Sequence, residues 1–144
     1  MLLKSVRGFT PSYGSDCFFA ENATLIGDII MGEQCSVWYQ AVIRGDVNSI
    51  RIGNRVNIQD GAVIHATYKK ASTHIGNNVS VGHNAIVHGC LIQDNVLIGM
   101  GSIVMDQCEI GSNSIIAAGA VVPQGTIVPS GSIYAGIPAK KIKS

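Results

Sequence analysis

Charge is scarce in this chain of 144 residues: Lys and Arg total 10, Asp and Glu 9, and together they make up 13% of the sequence. Disordered chains and soluble helical bundles need far more Lys and Glu, so both classes are excluded. Residues 71–139 contain no Lys or Arg at all. A basic stripe able to neutralise phosphates is therefore absent, and nucleic acid is not an expected partner. Leucine is also rare, at five residues against 20 Ile and 14 Val, and aromatics reach only 6%. A β-branched, Leu-poor chain with 17 glycines favours strands and turns over helices. No stretch has the length of a membrane span, and the start MLLKSVRGF lacks the apolar run of a signal peptide. No membrane association and a cytoplasmic location are the expectations. Cys17, Cys35, Cys90 and Cys108 form no CxxC and are expected to be free thiols.

What the chain does have is a six-residue period. Branched aliphatics recur at Ile92, Ile98, Val104, Ile110, Ile116, Val122 and Val128, and upstream at Leu25, Met31, Val37 and Ile43. The spacing resumes at Ile52, Ile58 and Ile64, and again at Ile75, Val81 and Val87. The following residue is often Gly, and the residue two before is usually small or β-branched. Six residues suit one short strand plus one corner, and three such units close a triangular coil of about 18 residues that stacks at strand spacing. The expectation is an all-β, single-stranded parallel β-helix. Phe19 to Val128 holds eighteen ladder positions, hence about six coils. One domain over 1–144 follows, with a lead-in at 1–18, coils over 19–130 and a short C-terminal tail at 131–144. All four cysteines fall two residues before a ladder position, as small corner-filling residues.

The period breaks three times: three extra residues between Ile43 and Ile52, five between Ile64 and Ile75, and one missing between Val87 and Ile92. With the insertions treated as corner loops, Ile43, Ile64 and Val87 stack on one face, and Ile58 and Val81 stack on the preceding face. After the first three, where Gly is the default, stand Arg44, His65 and His88. Gln59 follows Ile58, and His83 comes two after Val81. His65 and His88 lie one coil apart, so two imidazoles can share one metal ion. His83 faces another side of the prism and meets that edge only in a threefold assembly. Three neutral imidazoles with an open fourth position define a catalytic zinc site, in which the metal lowers the pKa of its water to about 7. Fe(II) or Co(II) suits the same ligand set.

These residues resemble a known family. Arg-Gly-Asp at Arg44–Asp46, Asn-Ile-Gln-Asp at Asn57–Asp60, His65, Gly-His-x4-His at Gly82–His88 and the ending Tyr134–Lys140 are similar to γ-class carbonic anhydrases. The resemblance implies a left-handed β-helix that forms a homotrimer with interfacial zinc. His65 and His88 would come from one subunit and His83 from its neighbour. It implies interface ion pairs for Arg44, Asp46 and Asp60, with Asn57 and Gln59 near the metal. Gln59 would orient the metal-bound hydroxide, and Tyr134 would lie beside the substrate. The implied reaction is the reversible hydration of CO2 to bicarbonate.

The sequence departs from the family pattern where a proton must leave. Val47 stands where the archetype is acidic, Gly136 where it has asparagine, and the loop after His65 has no acidic residue. His74 or buffer is the candidate substitute proton carrier. Only Lys141–Ser144 follow the Pro-Ala-Lys segment, where relatives continue into a helix. Two other classes compete: an acyl-CoA-dependent acyltransferase, which shares the repeat, and a non-catalytic metal-binding trimeric scaffold.

Overall fold

The computed structural model describes all 144 residues, and every regular element in it is a β-strand. The chain winds as a left-handed parallel β-helix of triangular cross-section. The first face carries the interior ladder Leu25, Ile43, Ile64, Val87, Val104 and Val122, paired in parallel from coil to coil. The second carries Met31, Ile52, Ile75, Ile92, Ile110 and Val128. The third carries Phe19, Val37, Ile58, Val81, Ile98 and Ile116, and Tyr134 continues it. The interior aliphatics are almost wholly buried and form one continuous core.

The stacking inferred across the two insertions is correct: Ile43, Ile64 and Val87 are in register, as are Ile58 and Val81. The helix nevertheless has seven rungs per face, more than the eighteen ladder positions supply. Leu2–Lys4 and Ser12–Tyr13 add a rung by pairing with Thr24–Met31, and Ile133–Ala135 extend the third face. Lys140–Lys143 then fold back antiparallel along Ile133–Ala135 and cover that edge. The N-terminal rung escapes the period because the ten-residue excursion from Leu3 to Tyr13 contains a tight turn at Arg7–Gly8.

The corners differ in a way the repeat alone does not reveal. Glycine follows the ladder residue mainly on two of them, as at Gly32, Gly53, Gly76 and Gly111 and at Gly82 and Gly99. Adjacent coils approach so closely there that a Cβ on Gly99 would lie 2.5 Å from the backbone N of Ala118. Between the first and second faces the same position holds Ile26, Arg44, His65, His88, Met105 and Pro123, a large residue in every coil. Arg44, His65 and His88 are thus residents of a corner that accepts large side chains, and not departures from a glycine default. The strands continue into this corner: Val63–His65 and Ile86–His88 include it, and Thr24–Met31 and Val42–Ile52 pass through it unbroken. The insertion after Ile43 is accordingly a register shift inside a continuous strand and not a free loop.

Because each ladder residue fills the prism with no neighbour able to replace it, Ile98→Ala should cost about 2–5 kcal/mol in chemical denaturation. Glu109→Ala, an exposed outward position, should change stability by less than about 0.5 kcal/mol in the same measurement.

Candidate metal centre

Two polar clusters flank the first face. At the corner where the chain leaves it, parallel pairing sets His88 against His65. Their rings meet edge-on, and His65 Nδ1 lies 3.1 Å from His88 Nε2. Each ring is held from behind by a carboxylate. Asp46 Oδ1 is 2.9 Å from His65 Nε2, and Asp106 Oδ1 is 2.6 Å from His88 Nδ1. Arg44 Nη1 donates to the other oxygen of Asp46 at 2.5 Å, and the Thr67 hydroxyl donates to the other oxygen of Asp106. Partial burial raises the pKa of both carboxyls, but hydrogen bonds from His65 and Arg44 to Asp46, and from Thr67 and His88 to Asp106, outweigh it. Both stay below the usual carboxylate range.

The backbone of this corner is fixed by Thr73. Its buried hydroxyl donates to the carbonyl of His65 at 2.6 Å and accepts from the N–H of Gly89 at 2.8 Å, tying both histidine segments together.

The second cluster lies where the chain enters the first face. Trp38, Asn57, Gln59, Asp60 and His83 line an open depression of about 290 Å³. His83 Nδ1 stands 3.4 Å from Asp60 Oδ1, and Asn57 donates to the Ser36 hydroxyl at 2.7 Å. The side chain of His83 is 51% exposed, against 17% for His65 and 32% for His88. It is available to another molecule in a way the paired histidines are not.

The structure thus brings Arg44, Asp46, His65 and His88 together, and separately Asn57, Gln59, Asp60 and His83. Arg44 and Asp46 pair within the chain. Tyr134 joins neither cluster; it ends the interior ladder of the third face, packed against the core three coils beyond Val81. His74 points outward from the second face, in register with Arg51 and Leu91. The four cysteines are unpaired. Burial raises the Cys90 and Cys35 thiol pKa values, so neither is a poised nucleophile.

Sequence reasoning missed Asp106, Thr67, Thr73 and Trp38. Asp106 carries a readable signal, an acidic residue at the same corner one coil beyond His88.

The histidine pair fits a metal. Nitrogens bound to one tetrahedral zinc at 2.0–2.1 Å sit about 3.3 Å apart, close to the observed spacing. A ligating imidazole commonly hands its second nitrogen to a carboxylate, as both rings do here. No three His, Cys, Asp or Glu side chains of one chain are arranged to hold a metal ion.

Fold and site together define a hexapeptide-repeat β-helix protein with a histidine pair on one edge. Residues 89–124 match the bacterial transferase hexapeptide (six repeats) model. A carbonic anhydrase of Geobacillus kaustophilus is 42% identical over 137 residues, covering 95% of this chain and 75% of the relative. Gamma carbonic anhydrase 2, mitochondrial, of Arabidopsis thaliana is 41% identical over 143 residues, and this chain spans about half of it, 51%. A solved putative acetyltransferase from Bacillus cereus superposes with a TM-score of 0.95 at 39% identity, covering 99% of this chain and 83% of that one. The chain belongs to the γ-carbonic anhydrase-like family of hexapeptide-repeat proteins.

Thr73→Val keeps the shape of the side chain but strips both hydrogen bonds at the corner. It should lower unfolding free energy by about 1–3 kcal/mol, and denaturant midpoints read the change directly.

Proposed function

We propose that this protein is a zinc-dependent carbonic anhydrase acting as a homotrimer. His65 and His88 of one subunit and His83 of the next would hold each ion. The observation that carries the reading is the pair of imidazole nitrogens 3.1 Å apart, each ring backed by its own carboxylate. The names of relatives that align over nearly the whole chain support the same activity.

The face between the two clusters supports the assembly. Its outward column reads Val42, Val63, Ile86, Ile103 and Val121, in register. A sheet face that is apolar inside and out is built to be covered. The second face instead mixes Arg51, His74 and Glu109 with Ile30, Leu91 and Ile127. Packing first faces around a threefold axis would carry the half-exposed His83 of one chain toward the His65–His88 edge of another. Gln59 and Asn57 would arrive with it.

Bound zinc supplies Lewis acidity that lowers the pKa of water to about 7, and Fe(II) or Co(II) suits the same donors. The chain's own residues then orient. Asp106 holds the His88 ring by Nδ1 and Asp46, fixed by Arg44, holds His65 by Nε2, so that His88 Nε2 and His65 Nδ1 face each other where a shared ion would sit. Asn57 is pinned through Ser36, whereas the Gln59 amide is free to donate to or accept from a reacting oxygen. No acidic side chain other than Asp46 and Asp106 touches the histidine pair, so proton export falls to buffer or to His74 at a distance. Four unpaired thiols suit the reducing cytoplasm. No helix is long and apolar enough to cross a membrane.

An acyltransferase remains a second reading, because the solved relative superposing at 0.95 carries the name putative acetyltransferase. Metal analysis, mass measurement and stopped-flow CO2 hydration separate the two. One zinc per chain in a trimer, with hydration lost on chelation, supports the carbonic anhydrase. Metal-free protein that transfers acyl groups from acyl-CoA defeats it, and metal without hydration leaves a scaffold.

Two variants test the shared site. Asp106→Asn should weaken zinc binding about 10–100-fold in a competition titration while the trimer persists. His83→Ala and His65→Ala should each abolish binding alone. Co-expressed, they should recover up to one ion per mixed trimer, since one interface then joins an intact His65–His88 pair to an intact His83. Recovery of no metal would show that the ligands do not come from two chains.

A further inference from the structure

On the other side of Asp46 lies a cavity of about 460 Å³, within the range of small-molecule sites. Three cations line it, Arg7, Arg51 and Lys69, against two carboxylates, Asp28 and Asp46. Both carboxylates are already engaged. Arg51 holds Asp28 at 2.9 Å, and Asp46 is shared by Arg44 and His65. Arg7 and Lys69 have no carboxylate partner: Arg7 Nη1 donates to the backbone carbonyl of Asp46 at 3.3 Å, and the Lys69 ammonium stands 5.3 Å from the centre of the Tyr68 ring.

Both free cations sit on built turns. Val6 and Phe9 exchange two backbone hydrogen bonds of 3.0 Å, which leaves Arg7–Gly8 as a two-residue turn with φ of 56° and 82°. Positive φ at both central residues is the type I′ hairpin geometry. Lys69, at φ 58°, rides on the turn closed by the mutual hydrogen bonds of Thr67 and Ala71. In a chain with only ten cations, two are presented unpaired over one cavity on backbones already fixed. With those backbones fixed, the ordering cost of binding falls on the two side chains alone. Phe9 and Tyr68, each about half exposed, add apolar walls.

We propose that this cavity binds a small organic oxyanion, a carboxylate or phosphate on a compact apolar body, gripped between Arg7 and Lys69. The site is separate from the histidine pair and does not depend on metal.

Benzoate and phenyl phosphate are the probes, titrated into the intact oligomer with and without zinc while amide NMR shifts are followed. Benzyl alcohol is the uncharged control. Saturable shifts confined to residues 7–9, 46–51 and 68–69, equal in chelated protein, are expected for one or both anions, and the tighter one identifies the headgroup. Arg7→Asn and Lys69→Asn suit the left-handed backbone and should each weaken binding at least fivefold. Arg7→Lys and Lys69→Arg should keep it within about twofold, which separates lost charge from a damaged turn. The proposal is overturned by absence of saturable shifts, by equal binding of benzyl alcohol, or by affinity unchanged in the Asn variants. Shifts seen only with zinc also overturn it, since the anion would then sit on the metal. A protein that proves to bind no metal leaves this outcome readable.

Discussion

Each coil stacks on the next at strand spacing, about 4.8 Å, and every face admits one interior side chain per rung. That spacing decides what the rest of the chain is allowed to be. Inside, branched aliphatics fill most of the prism, and replacing one would open a cavity that flanking rungs, hydrogen-bonded above and below, are not free to collapse into. At two of the corners the coils come so close that a side chain collides with backbone, as at Gly99. A large side chain therefore stands in every coil only at the remaining corner, where Arg44, His65, His88 and Met105 find room, while the corner after the third face admits Trp38 and Gln59 in two coils and glycine in the next two. Stacking also does something useful there: residues one coil apart are automatically neighbours. His65 and His88 meet because Ile64 and Val87 are adjacent rungs.

The period and the register were readable because the interior ladder is blind to sequence context. An aliphatic every sixth residue, with the insertion after Ile64 counted out, places His65 against His88 by arithmetic alone. Corner identity was not readable in the same way. It emerges only when every third repeat is compared, and then Ile26, Met105 and Pro123 show that the histidine positions never had a glycine default. Asp106 and Thr73 were missed for a different reason. They act through hydrogen bonds to His88 and to the His65 and Gly89 backbones across 18, 8 and 16 residues, and no local pattern announces such a bond. The first rung was hidden because Leu3 and Tyr13 remain exposed and the turn at Arg7 breaks their spacing.

Scarcity of charge acquires a location. Asp28, Arg44, Asp46, Arg51 and Asp106 crowd one edge of the prism with Arg7 and Lys69 beside them, while 71–139 carry no Lys or Arg. A repeat that tolerates few charges in its coils gathers them where the period is interrupted. Ion pairs here are partly exposed, so their direct contribution to stability is small. Their effect is orientation: Arg44 fixes Asp46, which fixes His65, while the backbone carbonyl of Asp46 receives Arg7. One residue from the insertion thus borders both the histidine pair and the cationic cavity.

The proposed division of the site between chains would couple metal binding to assembly. In one chain His65 and His88 spend their facing nitrogens on each other, and His83 rests beside Asp60. Neither arrangement completes a ligand set, so an ion that required all three imidazoles would bind the proposed assembly and stabilise it by mass action. Covering the apolar first face would drive association in the same direction, since Val42, Val63, Ile86, Ile103 and Val121 would leave water. By linkage, whatever strengthened that subunit contact would tighten the metal, and whatever tightened the metal would strengthen the contact. Thr73 and Asp106 would bear on both through hydrogen bonds within one chain, because they hold the His65 and Gly89 backbones and the His88 ring that form one half of the proposed site.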